Sequence, residues 1–157
     1  MASRLQRFML RAVNYWPPFF GAGIRVTYRN PTLTAVDVEM RLRFWNRNYV
    51  GTHFGGSLYS MADPFFMLML LQNLGPEYIV WDKAATIRFR KPGRGTVRAQ
   101  FRLTDAQIAA VRDAADANEK FEPTFTVQIT DLNGEVVAEV DKLLYVRKRE
   151  QTIHRKS

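Results

Sequence analysis

Apolar residues recur along this chain with two different periods, and the switches between them divide it into elements. Leu5, Phe8, Met9, Ala12, Val13 and Trp16 fall at helical spacing, with Arg4, Arg7, Arg11 and Asn14 on the opposite side. This predicts an amphipathic N-terminal helix within residues 1–20, covering 4–16 and ended by Pro17-Pro18. Ile24–Tyr28 and Thr34–Leu42 read as strands, and Ala35 to Met40 alternates apolar and polar as a half-buried strand does. Asn30-Pro31 turns the chain between them. A polar, aromatic loop, Phe44–Thr52, leads to Gly55-Gly56. Ser57–Leu74 is then apolar on nearly every side and is closed by Gly75-Pro76, which predicts one long helix buried on most of its faces. Tyr78–Arg90 and Thr96–Leu103 are strands joined by the Lys91–Gly95 turn. Thr104 with Gln107 has the capping-box pattern that opens a helix to Ala117. Glu122–Thr130 and Glu135–Arg147 flank Asp131-Leu132-Asn133-Gly134, a hairpin turn with Asn-Gly at its tip. Residues 148–157 read as a basic, flexible tail.

One buried helix and one antiparallel sheet make an α+β layered domain. No repeat or linker interrupts the pattern, so residues 1–157 read as a single domain. Hydrophobic residues make up 46% of the chain and charged residues 24%, an ordinary globular balance that excludes a wholly disordered or fibrous protein. There is no cysteine, which excludes disulfides, thiolate catalysis and cysteine-based metal centres. With only 2 histidines, a multi-histidine metal site is not expected either. The net charge of +8 favours anionic partners such as a phosphate-bearing small molecule, nucleic acid or lipid. No nucleic-acid motif accompanies it. No apolar run approaches the roughly 20 residues that span a bilayer, so stable membrane insertion is not expected. Arg11 and Asn14 interrupt any signal-peptide core, which predicts a cytoplasmic protein. The leading segment is acid-free up to Asp37, as in a transit peptide or a basic amphipathic helix.

The segment from Asn48 through His53, Phe54, Gly55, Gly56 and Ser60 to Asp63 resembles the active-site segment of the hotdog-fold acyl-CoA thioesterases of the PaaI-like group. Those enzymes carry an Asn, then His-Gly-Gly, then an acidic residue two helical turns on. Gly55-Gly56, Asp63 and Asn48 occupy these positions here. Phe54 stands where the family has His, with His53 one residue earlier. Phe89–Gly95 also resembles the family's strand-end turn. Strand order matches over residues 24–147, and the chain as a whole is similar to the DUF4442-type thioesterase-like proteins.

The resemblance implies a hotdog fold, with a long helix wrapped by an antiparallel sheet. It also implies a homodimer that joins two sheets and sets each site between protomers, with homotetramers as the next level of pairing. The implied activity is hydrolysis of an acyl-CoA thioester to free acid and CoA, with no cofactor beyond the CoA of the substrate and no metal. Asp63 is then the general base on water or the nucleophile. The N–H groups of Gly55 and Gly56, at a helix start, suit the developing oxyanion, and Gly56 is the expected donor. Asn48, His53 and Ser60 are supporting candidates. Gly55, Phe54, Arg90, Lys91 and Arg94 are expected at the substrate, the basic residues on the CoA phosphates.

Each residue also has a structural reading. Asp63-Pro64 has the form of a helix N-cap followed by Pro at the first helical position, and Pro64 would bend a continuous helix. His53 and Asn48 can simply organise the loop, and Ser60 can be a small residue in a packed helix. The basic residues can form a solvated strand face. The competing functional class is a non-catalytic acyl-CoA- or lipid-binding hotdog protein. A hotdog dehydratase is a minor alternative, because His53 and Asp63 are closer together than in those enzymes. A third class is a membrane-surface protein that uses the N-terminal helix.

Overall fold

The computed structural model describes residues 12–149. Six strands form one antiparallel sheet in the order β1-β2-β4-β5-β6-β3. They are β1 Ile24–Arg29, β2 Ala35–Arg41, β3 Tyr78–Phe89, β4 Thr96–Arg102, β5 Thr124–Asp131 and β6 Val136–Lys148. Their helical partners are α1 Pro17–Ala22, α2 Gly55–Ser60, α3 Phe65–Leu74 and α4 Asp105–Ala117.

The period of two places one set of side chains against the helices. Val36, Val38 and Met40 of β2, Val97, Ala99 and Phe101 of β4, and Val140, Leu144 and Val146 of β6 are all buried. α3 lies on that face. Its Phe65 and Phe66 rings meet Phe101 at 4.9 and 5.2 Å, and Phe66 stacks on Phe125 at 5.1 Å. Full burial of each such side chain contributes roughly 1.5–3 kcal/mol. A helix laid on a six-stranded antiparallel sheet is the hotdog arrangement. The capping box of α4 is present: Thr104 Oγ1 accepts from Gln107 N at 3.1 Å, and Gln107 Oε1 accepts from Thr104 N at 2.9 Å.

Three expectations need correction. The single helix expected over Ser57–Leu74 is two helices, α2 and α3, separated by Met61–Pro64. Pro64 has no N–H and its ring would meet the carbonyl four residues back, so α2 ends and α3 restarts, with Leu68 N donating to Pro64 O at 2.9 Å. Pro17-Pro18 does break the chain at Trp16 (ψ 126°), but it also opens α1, because Pro suits the first helical positions. Residues 4–11 of the predicted N-terminal helix lie outside the described residues, and Val13–Tyr15 form a 3-10 turn. Finally, β6 continues to Lys148, which is paired in register with Tyr78 and lies 2.9 Å from Asp116. Residues 150–157 of the expected tail lie outside the described residues.

β3 is an edge strand of twelve residues, paired among the described residues only with β6. Its register slips at Lys83: Asp82 faces Leu144, while Ala84 and Ala85 face Leu143 and Lys142. The bulge increases the local twist and re-aims the strand beside it. Among the described residues, no helix is long and apolar enough to cross a membrane.

Candidate functional site

α2 starts at Gly55 because Phe54 holds extended backbone (φ −66°, ψ 130°) and its carbonyl accepts from Ser57 N at 2.9 Å and Leu58 N at 3.1 Å. The Gly55 and Gly56 N–H groups precede the first intrahelical bonds, and no acceptor among the described residues takes them. Aromatic rings close on both glycines. A Cβ at Gly55 would lie 2.9 Å from the Phe89 ring, and one at Gly56 2.5 Å from the Phe54 ring. Phe54 and Phe89 are themselves more than half exposed, so they wall an open helix start with apolar surface.

At the other end of α2, the break before Pro64 releases Asp63 from the helical ladder. Its side chain does not cap α3. Instead Oδ1 accepts from Tyr59 Oη and from Lys142 Nζ, each at 2.7 Å. Tyr59 reaches it from one helical turn back. Lys142 Nζ also donates to Tyr59 Oη at 3.3 Å and lies 3.0 Å from Asp82 Oδ1. That last contact is an ion pair without hydrogen-bond alignment, and Asp82 Oδ1 has no other partner among the described residues. Oδ2 of Asp63 receives no hydrogen bond from the described residues, and the side chain is 44% exposed. The carboxylate thus has one oxygen held and one open.

Lys142 is 0% exposed. A buried ammonium is costly unless it is paired. Burial pulls its pKa down, but the hydrogen bond to Asp63 and the charges of Asp63 and Asp82 outweigh this and leave it raised, so the side chain is a cation throughout the physiological range. Burial pushes the Asp82 carboxyl up, against the pull of Lys142. The Tyr59 hydroxyl is raised by burial and by its hydrogen bond to Asp63. The cluster is therefore one ammonium shared by two carboxylates, with a neutral phenol bridging to the exposed one.

The remaining candidates are placed elsewhere, and none of Asn48, His53 and Ser60 shares a hydrogen bond with Asp63 among the described contacts. Ser60 Oγ donates to Gly56 O at 2.8 Å, within its own helix. Asn48 organises the loop: Oδ1 accepts from Thr52 N at 2.9 Å and Nδ2 donates to Thr52 Oγ1 at 2.9 Å. His53 is 3% exposed and clamps the β3–β4 turn, its N donating to Gly93 O at 3.0 Å and its Nε2 to Gly95 O at 2.9 Å. The basic residues expected on CoA phosphates are largely matched by carboxylates on adjoining strands. Lys91 pairs with Asp131 at 2.6 Å and with Glu135, and Arg90 lies 3.4 Å from Glu139. Arg88, Arg98 and Arg102 are paired in the same way. Arg94 is exposed, with no ion pair among the described residues. No cluster of three or more potential metal ligands occurs among the described residues.

Burial holds the His53 pKa below its ordinary value of 6.5, with the Gly95 carbonyl opposing in part. Nε2 carries the proton that the carbonyl accepts, and the folded imidazole stays neutral. A base whose pKa is depressed by folding takes up its proton in the unfolded chain first. The stability it contributes is therefore complete above about pH 6.5 and is lost as pH falls from there toward the folded pKa. Thermal unfolding across that range should show the loss in the wild type and a flatter profile in His53→Gln. Parallel profiles would contradict this role.

The DUF4442 family model, a domain of unknown function, matches residues 5–146. The chain belongs to the DUF4442 family. No curated protein matches it in sequence. Among solved structures, a Pseudomonas aeruginosa protein of unknown function named a probable thioesterase is 26% identical, with a TM-score of 0.80 over 95% of this chain and 97% of that one. A thioesterase from Haemophilus influenzae is 13% identical, with a TM-score of 0.65 over 98% and 97%. The Escherichia coli PaaI protein of the phenylacetic acid degradation operon is 16% identical, with a TM-score of 0.59 over 96% and 97%.

In this DUF4442 chain, Lys142, Tyr59 and Asp82 join Asp63 without having been read from the sequence. One signal was present. Along Val136, Ala138, Val140, Lys142, Leu144 and Val146, a lysine occupies an inward position of a period-two strand. A charge in that phase must find a buried partner.

Proposed function

We propose that this DUF4442 protein is a thioester hydrolase that converts an acyl-CoA to free acid and CoA, with Asp63 as general base or nucleophile. The observation that carries the reading is the half-held carboxylate: Oδ1 is fixed by Lys142 and Tyr59 while Oδ2 is open. As a base, Asp63 takes a proton from water while the water oxygen bonds the thioester carbonyl carbon. As a nucleophile, its own oxygen bonds that carbon, giving an anhydride that water then splits. On either route the C–S bond breaks and CoA leaves as the thiolate, which takes up a proton. The unpartnered N–H groups at the start of α2, Gly56 foremost, suit the oxyanion. Ala85, Ile87 and Phe89, inward on β3 and only partly covered, offer an apolar wall to the acyl chain. The thioesterase names of the structural neighbours support the same activity.

Gly56 and Asp63 are seven residues apart. Gly56 lies at the start of α2 and Asp63 lies past its end at Ser60, and on this reading Gly56 of one copy serves the Asp63 of another. The open β3 edge offers the place for pairing. Native mass measurement should find a dimer or tetramer, and a monomer that turns over substrate would refute this part of the proposal.

The engagement of His53 with the turn favours one second reading, acyl-CoA binding without turnover. Free-thiol release from a panel of short, long and aromatic acyl-CoAs separates the two. Turnover of at least one substrate supports hydrolysis. Binding of acyl-CoA with no turnover on any substrate supports the binding module.

A further inference from the structure

The loop between β2 and α2 carries side chains that neither the core nor the proposed site uses. Phe44 is 79% exposed, Tyr49 104% and Val50 73%. Trp45, half exposed, meets Phe44 edge-on at 5.0 Å. Asn46 Nδ2 donates to Ala22 O at 2.8 Å and Arg41 O at 2.9 Å, which ties this loop to the end of α1, where Phe20 is also exposed. Water favours folding such side chains back onto the protein unless the backbone prevents it. Here the backbone is built. Asn46 is buried and its Oδ1 accepts from Arg43 N at 2.7 Å, while Asn48 Oδ1 accepts from Val50 N at 3.1 Å and from Thr52 N. The aromatic side chains are held outward by a hydrogen-bonded loop.

Charge is concentrated beside them. No acidic residue occurs before Asp37 or between Glu39 and Asp63. Arg41, Arg43 and Arg47 are exposed, and none has a carboxylate partner among the described residues. Arg43 instead lies over the Trp45 ring at 5.2 Å. On the sheet, by contrast, Arg88, Arg98 and Arg102 are each paired.

We propose that this loop docks peripherally on an anionic lipid bilayer, with Phe44, Trp45, Tyr49 and Val50 entering the interface and Arg41, Arg43 and Arg47 meeting headgroup phosphates. Aromatic rings with a polar edge settle at headgroup level, and arginine stems reach past apolar groups to the charged surface. Anionic leaflets attract such clusters. Packing of this loop against the same loop of a second copy would set arginine against arginine. A nucleic acid would use the rings and arginines, but Val50 offers a base neither a stacking face nor a hydrogen bond. The proposal stands independently of the hydrolysis proposed above.

The test is flotation of the full-length protein with vesicles of phosphatidylcholine alone or mixed with phosphatidylglycerol, at low and high salt. A parallel arm measures retention of single-stranded RNA. Two variants accompany it, Phe44→Ser/Trp45→Ser/Tyr49→Ser and Arg43→Glu/Arg47→Glu, each checked for an unchanged thermal midpoint. Binding to the mixed vesicles, about tenfold weaker to phosphatidylcholine alone, released by salt and lost in both variants, is the expected result. Absence of vesicle binding overturns the proposal. So does equal binding by wild type and the folded variants, which would place the contact on another segment. Retention of RNA through this loop without vesicle binding would assign the surface to nucleic acid instead. If one variant fails to fold, the other and the salt dependence still decide.

Discussion

Asparagine at position 63 is expected to lower kcat for the preferred acyl-CoA by about 10²–10⁴-fold, the usual contribution of a positioned general base, with substrate affinity retained. The geometry makes asparagine the informative replacement. Its side-chain oxygen can still accept from Lys142 and Tyr59, the contacts that the Asp63 oxygen accepts at 2.7 Å, so the loop between α2 and α3 keeps its anchor while the open oxygen becomes an amide. Asp63→Ala removes both the anchor and the base, and should match asparagine in turnover while unfolding earlier. A nucleophilic and a basic role diverge under single-turnover conditions in water labelled with oxygen-18. With Asp63 as nucleophile, water that splits the anhydride at the Asp63 carbonyl leaves the label in the protein carboxylate in that single turnover; with Asp63 as base, the label goes to the free acid. Turnover that survives Asp63→Asn would remove Asp63 from the chemistry altogether.

Methionine at position 142 is expected to cost about 3 kcal/mol of stability, near the low end for breaking a buried pair, because Asp63 is 44% exposed and can recover hydration. For a chain of this size that is a fall in thermal midpoint of roughly 6–12 °C. Asp82 bears most of the loss, since burial already opposes its charge and Lys142 is its close partner at 3.0 Å. The double variant Lys142→Met/Asp82→Asn should therefore recover part of the stability. Turnover should not recover with it, because Asp63 still lacks the ammonium that fixes it. Differential scanning calorimetry and thiol release on the same preparations separate the two effects. A Lys142→Met protein as stable as wild type would mean that the pair contributes nothing net to folding.

The strands were legible because their signals are local. The alternation of Ala35–Met40, the Asn-Gly turn and the Thr104–Gln107 box each lie within a few residues, and each appears in the fold. The helix break was written at Asp63-Pro64, in a form that fitted a cap as well as a catalytic carboxylate. The hydrogen bonds remove the cap reading alone: Asp63 turns toward β6 and leaves the start of α3 uncapped. The rest of the cluster was not legible for a different reason. Lys142 meets Asp63 across 79 residues of sequence, and which strand lies opposite α2 is a property of the sheet order. The pairing of the basic residues around the β3–β4 turn was hidden from the sequence in the same way. Read in sequence they form a run, whereas across the sheet they alternate with Glu39, Asp131 and Glu139.

The extra residue at Lys83 has a consequence for anyone comparing this chain with its relatives. Before it, Tyr78, Val80 and Asp82 point inward by even numbers; after it, Ala85, Ile87 and Phe89 do so by odd numbers. Parity changes once, in the middle of one strand. An alignment that closes this position as a gap would count Arg88 as interior and Phe89 as surface. A deletion at Lys83 would do the same to the molecule, turning Arg88 away from Glu139 and lifting the Phe89 ring off Gly55. The two halves of β3 are best compared in separate frames, and an indel there should be far more damaging than one in the loop that follows.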